Sequence, residues 1–317
     1  MIALILKRIV MLATTAIFVA MLSFMAVYYS PGRTAELILE NKIPLGGPSQ
    51  EMVQQYEQEL ELDKSFPELF SKWIGKAVTG DFGNSFKTGS PVWDEFRDRF
   101  PFTLGLLILA TMIYIPLGLV LGTLSALYQN SWLDHFVRWL SALKLSIPSF
   151  WLALLLIWLI SIKLRILPSF GYKGFSSLIL PALTLGLGMT APMTRVLRTC
   201  LLEALNSPYA FTARAKGLGE PEIIIKHIMK NVLIPCLTLV GTNTVSLLGG
   251  TVIVENIFGL PGIGNYLVQA ISLKDYPVIC GFTFIIGMFT MVINTLVDLS
   301  YGWIDPRVRY ITSVKKG

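Results

Sequence analysis

Six long apolar segments, separated by polar ones, dominate the pattern of the chain. A helix rises about 1.5 Å per residue, so about 20 apolar residues are needed to cross about 30 Å of hydrocarbon. Backbone groups that face lipid find hydrogen-bond partners only within their own helix, so each segment is expected to be helical. The predicted spans are Ile9–Tyr29, a stretch within Pro101–Leu133, a short Leu145–Ile162, Gly174–Thr194, Asn231–Val254 and Tyr276–Val297. The pattern therefore predicts an all-α integral membrane protein with six transmembrane helices.

Composition supports this assignment. The 317 residues are 53% hydrophobic and 15% charged, with a mean hydropathy of +0.62, whereas soluble chains are about 25% charged. The net charge of +6 is not arranged as a basic stripe interleaved with aromatic residues, so the expected partner is a lipid bilayer and not nucleic acid. The three cysteines lie far apart and the two histidines stand alone, so no metal site is predicted.

The distribution of Lys and Arg predicts the orientation. The first span is too long for a signal-peptide core and lacks a small-residue cleavage site, so it is expected to be retained. With residue 1 in the cytoplasm, the cytoplasmic segments hold 14 basic residues and the two short outer loops hold four. Lys163, Arg165 and Lys173 run against the rule locally. Both termini of this multi-pass chain are therefore expected on the cytoplasmic face of the cell (inner) membrane.

One long polar segment is then expected outside the cell. Ser30–Arg99 holds 12 acidic and eight basic residues. Ser49 is a good N-cap for a helix, and two apolar surfaces follow it. These surfaces comprise Met52, Val53, Tyr56 and Leu60, and then Phe66, Phe70 and Trp73. They are interpreted either as packing on the helix ends or as docking a partner.

The chain is therefore predicted to have four parts. They are a cytoplasmic N-terminus with the first span (1–29), the extracytoplasmic segment (30–100), a five-span core (101–300) that contains a cytoplasmic loop (195–230), and a cytoplasmic tail (301–317).

The loop Arg195–Lys230 is too long for a simple turn and predicts two short helices. Ser207 suits an N-cap, Pro208 suits the first helical position, and Gly217 supplies a left-handed stop. A second helix is expected from Glu220, with acidic residues at its start and Lys226 and Lys230 near its end.

This loop and the start of the next span contain three motifs: Glu203-Ala204, then Ala213-Arg214-Ala215-Lys216-Gly217, then Asn231-Val232-Leu233-Ile234-Pro235. Together they closely resemble the EAA loop of permeases in ATP-binding cassette (ABC) importers. In that family the loop is the coupling helix, which seats in a groove of the ATPase subunit. The resemblance implies coupling residues Glu203, Ala204, Tyr209, Ala213, Arg214, Ala215, Lys216 and Gly217. The two alanines of the second motif are interpreted as small enough for close docking.

Further motifs lie along nearly the whole chain: Ile5-Leu6-Lys7-Arg8-Ile9, Asp81-Phe82-Gly83 with Ser85, Ile147-Pro148-Ser149-Phe150-Trp151, Leu167-Pro168 with Gly171, Glu255-Asn256-Ile257-Phe258 with Pro261-Gly262 and Gly264, and Asp305-Pro306-Arg307-Val308-Arg309. In this order they resemble the dipeptide, oligopeptide and nickel permease family. The resemblance is to the first of two related permeases, the one with the long outer segment. It implies a type I ABC importer permease.

Missing motifs narrow the function. The chain has no G-x-x-x-x-G-K-[ST] phosphate loop, no H-E-x-x-H and no G-x-S-x-G, so it is not expected to be an enzyme. ATP and Mg²⁺ are expected in partner ATPase subunits, and no cofactor is expected in this chain. The alternative is a secondary transporter or channel that acts alone. Because the predicted spans contain no Asp, Glu, Lys, Arg or His, a proton-coupled carrier is disfavoured.

The last two spans carry stripes of small or polar residues. They either let helices approach closely or line a water-filled path with uncharged walls. The candidate path residues are Thr242, Asn243, Ser246, Thr283, Thr290 and Asn294.

By resemblance, the expected partners are a second permease, two cytoplasmic ATPases and an extracytoplasmic binding protein. The cargo is either small peptides or nickel, free or chelated. The outer loop from Leu167 to Pro181 resembles the nickel branch more than the dipeptide branch.

Overall fold

The computed structural model describes residues 2–29, 33–43, 47–61 and 63–304. Within these ranges the regular structure is helical, and one isolated β-bridge joins Asn84 and Pro91. The α-helices are α1 Ile2–Tyr28, α2 Thr34–Lys42, α3 Gln50–Glu59, α4 Phe66–Ala77, α5 Val92–Leu127, α6 Trp132–Ser146, α7 Ser149–Leu156, α8 Ser176–Leu205, α9 Pro208–Ala215, α10 Glu220–Glu222, α11 Met229–Phe258, α12 Ile263–Ser272 and α13 Tyr276–Ile304. Two π-helical segments, Ile157–Lys163 and Ile223–Ile228, continue α7 and α10. The predicted all-α class is confirmed, while the motif from Asp305 to Arg309 and the tail beyond it lie outside the described residues.

Four described helices are long and apolar enough to cross a membrane. They are Val92–Leu127, Ser176–Leu205, Asn231–Phe258 and Tyr276–Val297, the last with the predicted bounds. A bent pair, α6 with Ser149–Lys163, forms a fifth candidate, and α1 contributes a shorter apolar stretch, Thr14–Ala26. The described helices therefore support a multi-pass membrane protein, but they do not establish the predicted number of six spans.

The third predicted span, Leu145–Ile162, is wrong in its start. The chain bends by 104° between α6 and the segment Ser149–Lys163. Ile147 is extended because the ring of Pro148 disfavours the helical region for the residue before it. Residues expected to form mostly a loop instead form α6, which begins at the N-cap Ser131, whose hydroxyl accepts from the Asp134 N–H at 3.3 Å.

The chain divides into two compact units. The first comprises Met1–Thr103 and Pro261–Met291, and the second comprises Leu104–Leu260 and Val292–Gly317. The outer segment therefore shares a unit with the first predicted span and with residues far along the sequence.

Aromatic side chains form the core of the first unit. The ring of Phe24 on α1 lies 5.5 Å from Phe66, 5.8 Å from Phe70 and 5.4 Å from Tyr276, measured between centroids. The interpretation that this apolar surface packs on helix ends is confirmed. The predicted cap is also confirmed, since the Ser49 hydroxyl accepts from the Met52 N–H at 3.3 Å.

A buried carboxylate fixes the loop that precedes α5 in this unit. Asp275 accepts hydrogen bonds from the Ser85 hydroxyl at 2.6 Å and from the Lys87 N–H at 3.2 Å. Burial raises the pKa of the Asp275 carboxyl above its usual range, because the surrounding protein solvates the charged form less well than water. The two hydrogen bonds hold Ser85 and Lys87 against the start of α13.

Glycines let α5 and α8 approach closely in the second unit. A Cβ on Gly118 would lie 2.6 Å from Cγ of Met193, and one on Gly122 would lie 2.9 Å from both the Thr194 carbonyl oxygen and Cβ of Leu197. Close packing through small residues is therefore found between α5 and α8. It is also found between the last two spans, as the sequence suggested, since a Cβ on Gly241 of α11 would lie 2.9 Å from Cγ1 of Val297 on α13.

A buried ion pair fixes α6 against α8. The guanidinium of Arg198 donates to both carboxylate oxygens of Asp134, at 2.8 and 2.7 Å, and the Ser125 hydroxyl donates to the same carboxylate at 2.5 Å. Asp134 is fully buried. Since a buried charge left without its partner is strongly destabilising, the pair holds three helices in register at this end of the unit.

Candidate functional site

The short helix α9 begins where the sequence predicts. Ser207 has an extended backbone with φ −78° and ψ 154°, and Pro208 occupies the first turn. The Ser207 hydroxyl does not cap α9; it donates instead to the Ala204 carbonyl at 2.5 Å. Ser207 thus joins the end of α8 to the start of α9, and Pro208 needs no hydrogen-bond acceptor because it has no N–H.

The end of α9 is a Schellman motif. The Leu218 N–H donates to the Ala213 carbonyl at 3.3 Å, and the Gly217 N–H donates to the Arg214 carbonyl at 2.9 Å. Gly217 has φ +81°, in the left-handed region, which confirms the predicted stop. A Cβ on Gly217 would meet nothing within 4 Å, so the glycine is required for its backbone conformation and not for space.

The two faces of α9 differ in exposure. Ala210 and Ala213 are buried against the chain itself, where α9 contacts the π-helical segment Ile223–Ile228. Ala213 is only 6% exposed, so the interpretation that it is free to dock a partner is wrong. Phe211 is 62% exposed and Tyr209 is 40% exposed. The surface available to a partner is therefore aromatic.

The remaining predicted coupling residues lie around this face. Ala215, Lys216 and Gly217 are exposed at the end of α9, and Glu203 is exposed near the end of α8 beside buried Ala204. The structure thus brings most of the predicted set together, but places Ala204 and Ala213 in the interior.

An ion pair that sequence reasoning missed closes the turn after α9. Arg214 donates to Glu220 at 2.5 Å and 3.2 Å, and also to the Leu205 carbonyl at 3.1 Å. The hydrogen bond from Arg214 holds the pKa of the Glu220 carboxyl below its usual range. The sequence does carry a signal for this ion pair, because Arg214 and Glu220 have opposite charges and lie six residues apart, on either side of two glycines. The pair links α8, α9 and α10.

The second short helix is not separate from the fifth predicted span. From Glu220 the chain runs through the π-helical segment Ile223–Ile228 directly into α11. The prediction of an independent helix ending near Lys230 is therefore wrong. A π-helical turn inserts one extra residue per turn without breaking the helix, and it has no simple sequence signal.

Candidate path residues on α11 present hydroxyl groups that are already bonded. Thr242 donates to the Thr238 carbonyl and Ser246 donates to the Thr242 carbonyl, both at 3.2 Å, and both side chains are exposed. Asn243 is buried and its Nδ2 has no hydrogen-bond partner. Gly249 lies in open space. Thr242, Ser246 and Gly249 are therefore uncovered in the second unit, whereas Asn243 lies in its interior.

The candidate residues on α13 are divided between the units. Thr283 and Thr290 belong to the first unit and are partly buried, and the Thr283 hydroxyl donates to the Ile279 carbonyl at 2.7 Å. Asn294 belongs to the second unit and is exposed. Two of the three candidate residues on α13 thus lie in the first unit and one lies in the second.

Metal-binding groups are absent from the part of the chain that the structure describes. No cluster of three or more His, Cys, Asp or Glu side chains that could hold a metal ion occurs among those residues.

Two family models match the chain. The model of binding-protein-dependent transport system inner membrane components matches residues 96–310, and the model of the N-terminal membrane component of such systems matches residues 1–107.

Curated relatives match over nearly their whole length. A putative peptide transport system permease protein of Brucella abortus (strain 2308) is 39% identical, covering 98% of this chain and 100% of the relative. A glutathione transport system permease protein of Escherichia coli (strain K12) is 35% identical, covering 96% of this chain and 98% of the relative. A dipeptide transport system permease protein of Alkalihalophilus pseudofirmus is 33% identical, covering 98% of this chain and 100% of the relative.

Solved structures share the fold. An inward-facing structure of the MetNI methionine ABC transporter matches with a TM-score of 0.56 and 17% identity, over 67% of this chain and 96% of that chain. A crystal structure of an amino acid ABC transporter with histidines matches with a TM-score of 0.51 and 16% identity, over 65% of this chain and 92% of that chain. Together with the family matches, the fold shows that the chain belongs to the inner-membrane components of binding-protein-dependent transport systems, as an ABC importer permease of the peptide family.

Proposed function

We propose that this chain is one of two permease subunits that enclose the path of an ATP-driven importer for small peptides. The relatives described above are named for peptide, dipeptide or glutathione transport, and glutathione is itself a small peptide. None of these three names mentions nickel, so the resemblance of the outer loop to the nickel branch has no support from them. Peptides are therefore the proposed cargo.

The observation that carries the proposal is the shape of α9. A helix of this length is marginal alone in water, yet its start and its end are both fixed, by Pro208 and by the Schellman motif at Gly217. Its exposed face presents Tyr209 and Phe211. Aromatic side chains on a rigid element are typical anchors for a protein partner. We assign this face to the seat of an ATPase subunit, with ATP and Mg²⁺ held by that subunit.

The proposed path follows the exposed stripe of α11. Because the Thr242 and Ser246 hydroxyls are satisfied by their own helix, they offer a neutral polar wall and no strong binding group. Such a wall suits a cargo that must be released. In the proposed assembly, the second permease supplies the opposite wall and an extracytoplasmic binding protein delivers the peptide.

The test is reconstitution with and without the partners. The chain would be purified with its neighbouring permease, ATPases and binding protein, and placed in proteoliposomes with a labelled dipeptide, labelled glutathione or nickel. We expect peptide uptake and peptide-stimulated ATP hydrolysis by the complex, and neither activity from this chain alone. Uptake by the chain alone would favour the secondary-transporter alternative, and uptake of nickel without peptide uptake would contradict the proposed cargo.

A further inference from the structure

A basic cavity opens in the second unit among α5, α6 and α8. Its volume is about 470 Å³, and four of its lining residues can carry positive charge: His135, Arg138, Arg195 and Arg198. Arg198 is neutralised by its ion pair with Asp134. Arg138 and Arg195 are exposed and make no ion pair with an acidic side chain within the described ranges. The cavity therefore has excess positive charge and two guanidinium groups available for an anion.

An apolar groove adjoins this cavity. The groove has a volume of about 240 Å³ and shares Ser141 and Thr194 with the cavity as lining residues. Apart from Lys144, the residues that line the groove are uncharged, and most are leucine, isoleucine or alanine. A guanidinium-rich cavity that continues into an apolar groove matches a ligand with an anionic head and a hydrocarbon tail.

The outer face of α6 places both features at a membrane surface. Trp132 and Trp139 are 76% and 59% exposed. Phe136 lies between them, edge-on to Trp132 at a centroid distance of 5.8 Å and stacked on Trp139 at 6.2 Å. Exposed Trp is typical of the interface between hydrocarbon and headgroups. Because α6 is bent by 104° from Ser149–Lys163, it runs nearly perpendicular to a segment that is apolar enough to enter the membrane. An amphipathic helix in that orientation lies in the plane of the interface.

The geometry points to a binding site for one anionic phospholipid, with its phosphate on Arg138 and Arg195 and an acyl chain in the groove beside Leu140. Arginine suits the head because its planar fork donates two parallel hydrogen bonds to phosphate oxygens. Basic pockets between membrane helices are a recognised setting for acidic headgroups. Arg198, which Asp134 holds in place, lines the cavity together with Arg138 on α6 and Arg195 on α8, so binding of a lipid there links α6 to α8.

The site can be tested on the full-length permease in complex with its partner subunits. After detergent exchange, the complex would be mixed with phosphatidylglycerol, with phosphatidylcholine of the same chains, or with inorganic phosphate, and bound lipid would be counted by native mass spectrometry. We expect retention of phosphatidylglycerol and little retention of phosphatidylcholine. Arg138→Gln with Arg195→Gln should weaken retention about 10- to 30-fold. The matched control, Lys163→Gln with Arg165→Gln, removes two cations that do not line the cavity and should have no effect.

A second pair of variants tests the tail. Leu140→Gln places a polar group in the groove and should weaken retention of long-chain phosphatidylglycerol, whereas Leu145→Gln, on the same helix but outside the groove lining, should not. Gel filtration of each variant checks that the protein is folded, and the single variant Arg195→Gln replaces the double variant if the latter aggregates.

Four results would overturn the proposal. The first two are equal retention of the two lipids, and equal retention by the arginine variant and by wild type. The third is protection of the arginines from a guanidine-modifying reagent by inorganic phosphate alone that matches protection by lipid. The fourth is shielding of the arginines from that reagent in a lipid-free complex, which would identify the occupant as a neighbouring subunit.

Discussion

At the scale of single residues, Gly217 has the most clearly defined role. Its φ of +81° costs a residue with a Cβ about 1–2 kcal/mol, and the open space around it removes steric crowding as an alternative cause. A substitution of Gly217 therefore tests the left-handed backbone conformation that turns the chain at the end of α9.

We expect Gly217→Val to leave the protein inserted in the membrane but to reduce peptide-stimulated ATP hydrolysis strongly. Gly217→Asn should retain most of the activity, because Asn tolerates the left-handed region far better than a β-branched residue. The measurement is ATP hydrolysis by the reconstituted complex with and without peptide. Equal loss in both variants would show that the side chain at 217, and not its backbone, matters.

Buried Ala213 and exposed Phe211 separate folding of the loop from docking. Ala213→Asp would bury a charge without a partner beside the π-helical segment, so it should lower the unfolding temperature of the permease alone. Phe211→Ala removes an exposed ring and should leave that temperature unchanged.

For Phe211→Ala, we expect the affinity for the ATPase subunits to fall about 30-fold, which corresponds to an interface anchor of about 2 kcal/mol. Phe175→Ala is the matched control, since Phe175 is equally exposed but precedes α8 at its opposite end. The affinity would be measured by titrating purified ATPase onto immobilised permease. Unchanged affinity for the Phe211 variant would mean that the aromatic face of α9 is not the seat.

At the scale of elements, the contact between α5 and α8 depends on the absence of side chains. Gly122→Ala would bring a Cβ to 2.9 Å from the Thr194 carbonyl, so either α5 or α8 must shift. We expect a destabilisation of about 1–3 kcal/mol, seen as a lower midpoint of thermal unfolding in detergent. Gly249→Ala, on α11 in open space, should be neutral or stabilising by up to about 1 kcal/mol, since alanine favours the helix. Similar shifts for the two variants would contradict the proposed role of close packing.

The elements also show how far the sequence alone could be interpreted. Apolar runs predicted the location of α8, α11 and α13, because hydrocarbon thickness sets their minimum length. The helix α6 was missed because Asp134, His135 and Arg138 interrupt its apolar pattern, although the spacing of Trp132, Phe136 and Leu140 is helical.

The sequence predicted where α9 begins and ends, but not which of its faces is buried. Ser207, Pro208 and Gly217 fix a helix by local backbone chemistry, which the sequence records directly. Which face of that helix is buried depends on its packing against the π-helical segment Ile223–Ile228. A tertiary contact of this kind leaves no local signal near Ala213.

At the scale of the whole molecule, the predicted orientation rests on the asymmetry of basic residues in the short loops. In a chain whose three native cysteines are replaced by serine, single cysteines would be introduced at exposed Glu51 and exposed His227. An impermeant thiol reagent added to intact cells should label Glu51→Cys, and should label His227→Cys only after the membrane is opened. Labelling of both positions from outside would exclude the proposed arrangement with cytoplasmic termini.

If α9 seats an ATPase subunit, as proposed, the continuous run from Glu220 to Phe258 would act mechanically as a lever. At about 1.5 Å per residue it extends up to about 58 Å, and one end is tied to α9 through the contact of Arg214 with Glu220. On a rod of that length, a tilt of about 5° at the loop displaces the far end by about 5 Å, comparable to one helical turn. A nucleotide-driven movement too small to reorganise the loop itself would then be amplified at Phe258, and any hinge inserted between these residues would attenuate the stroke without weakening the grip on the ATPase.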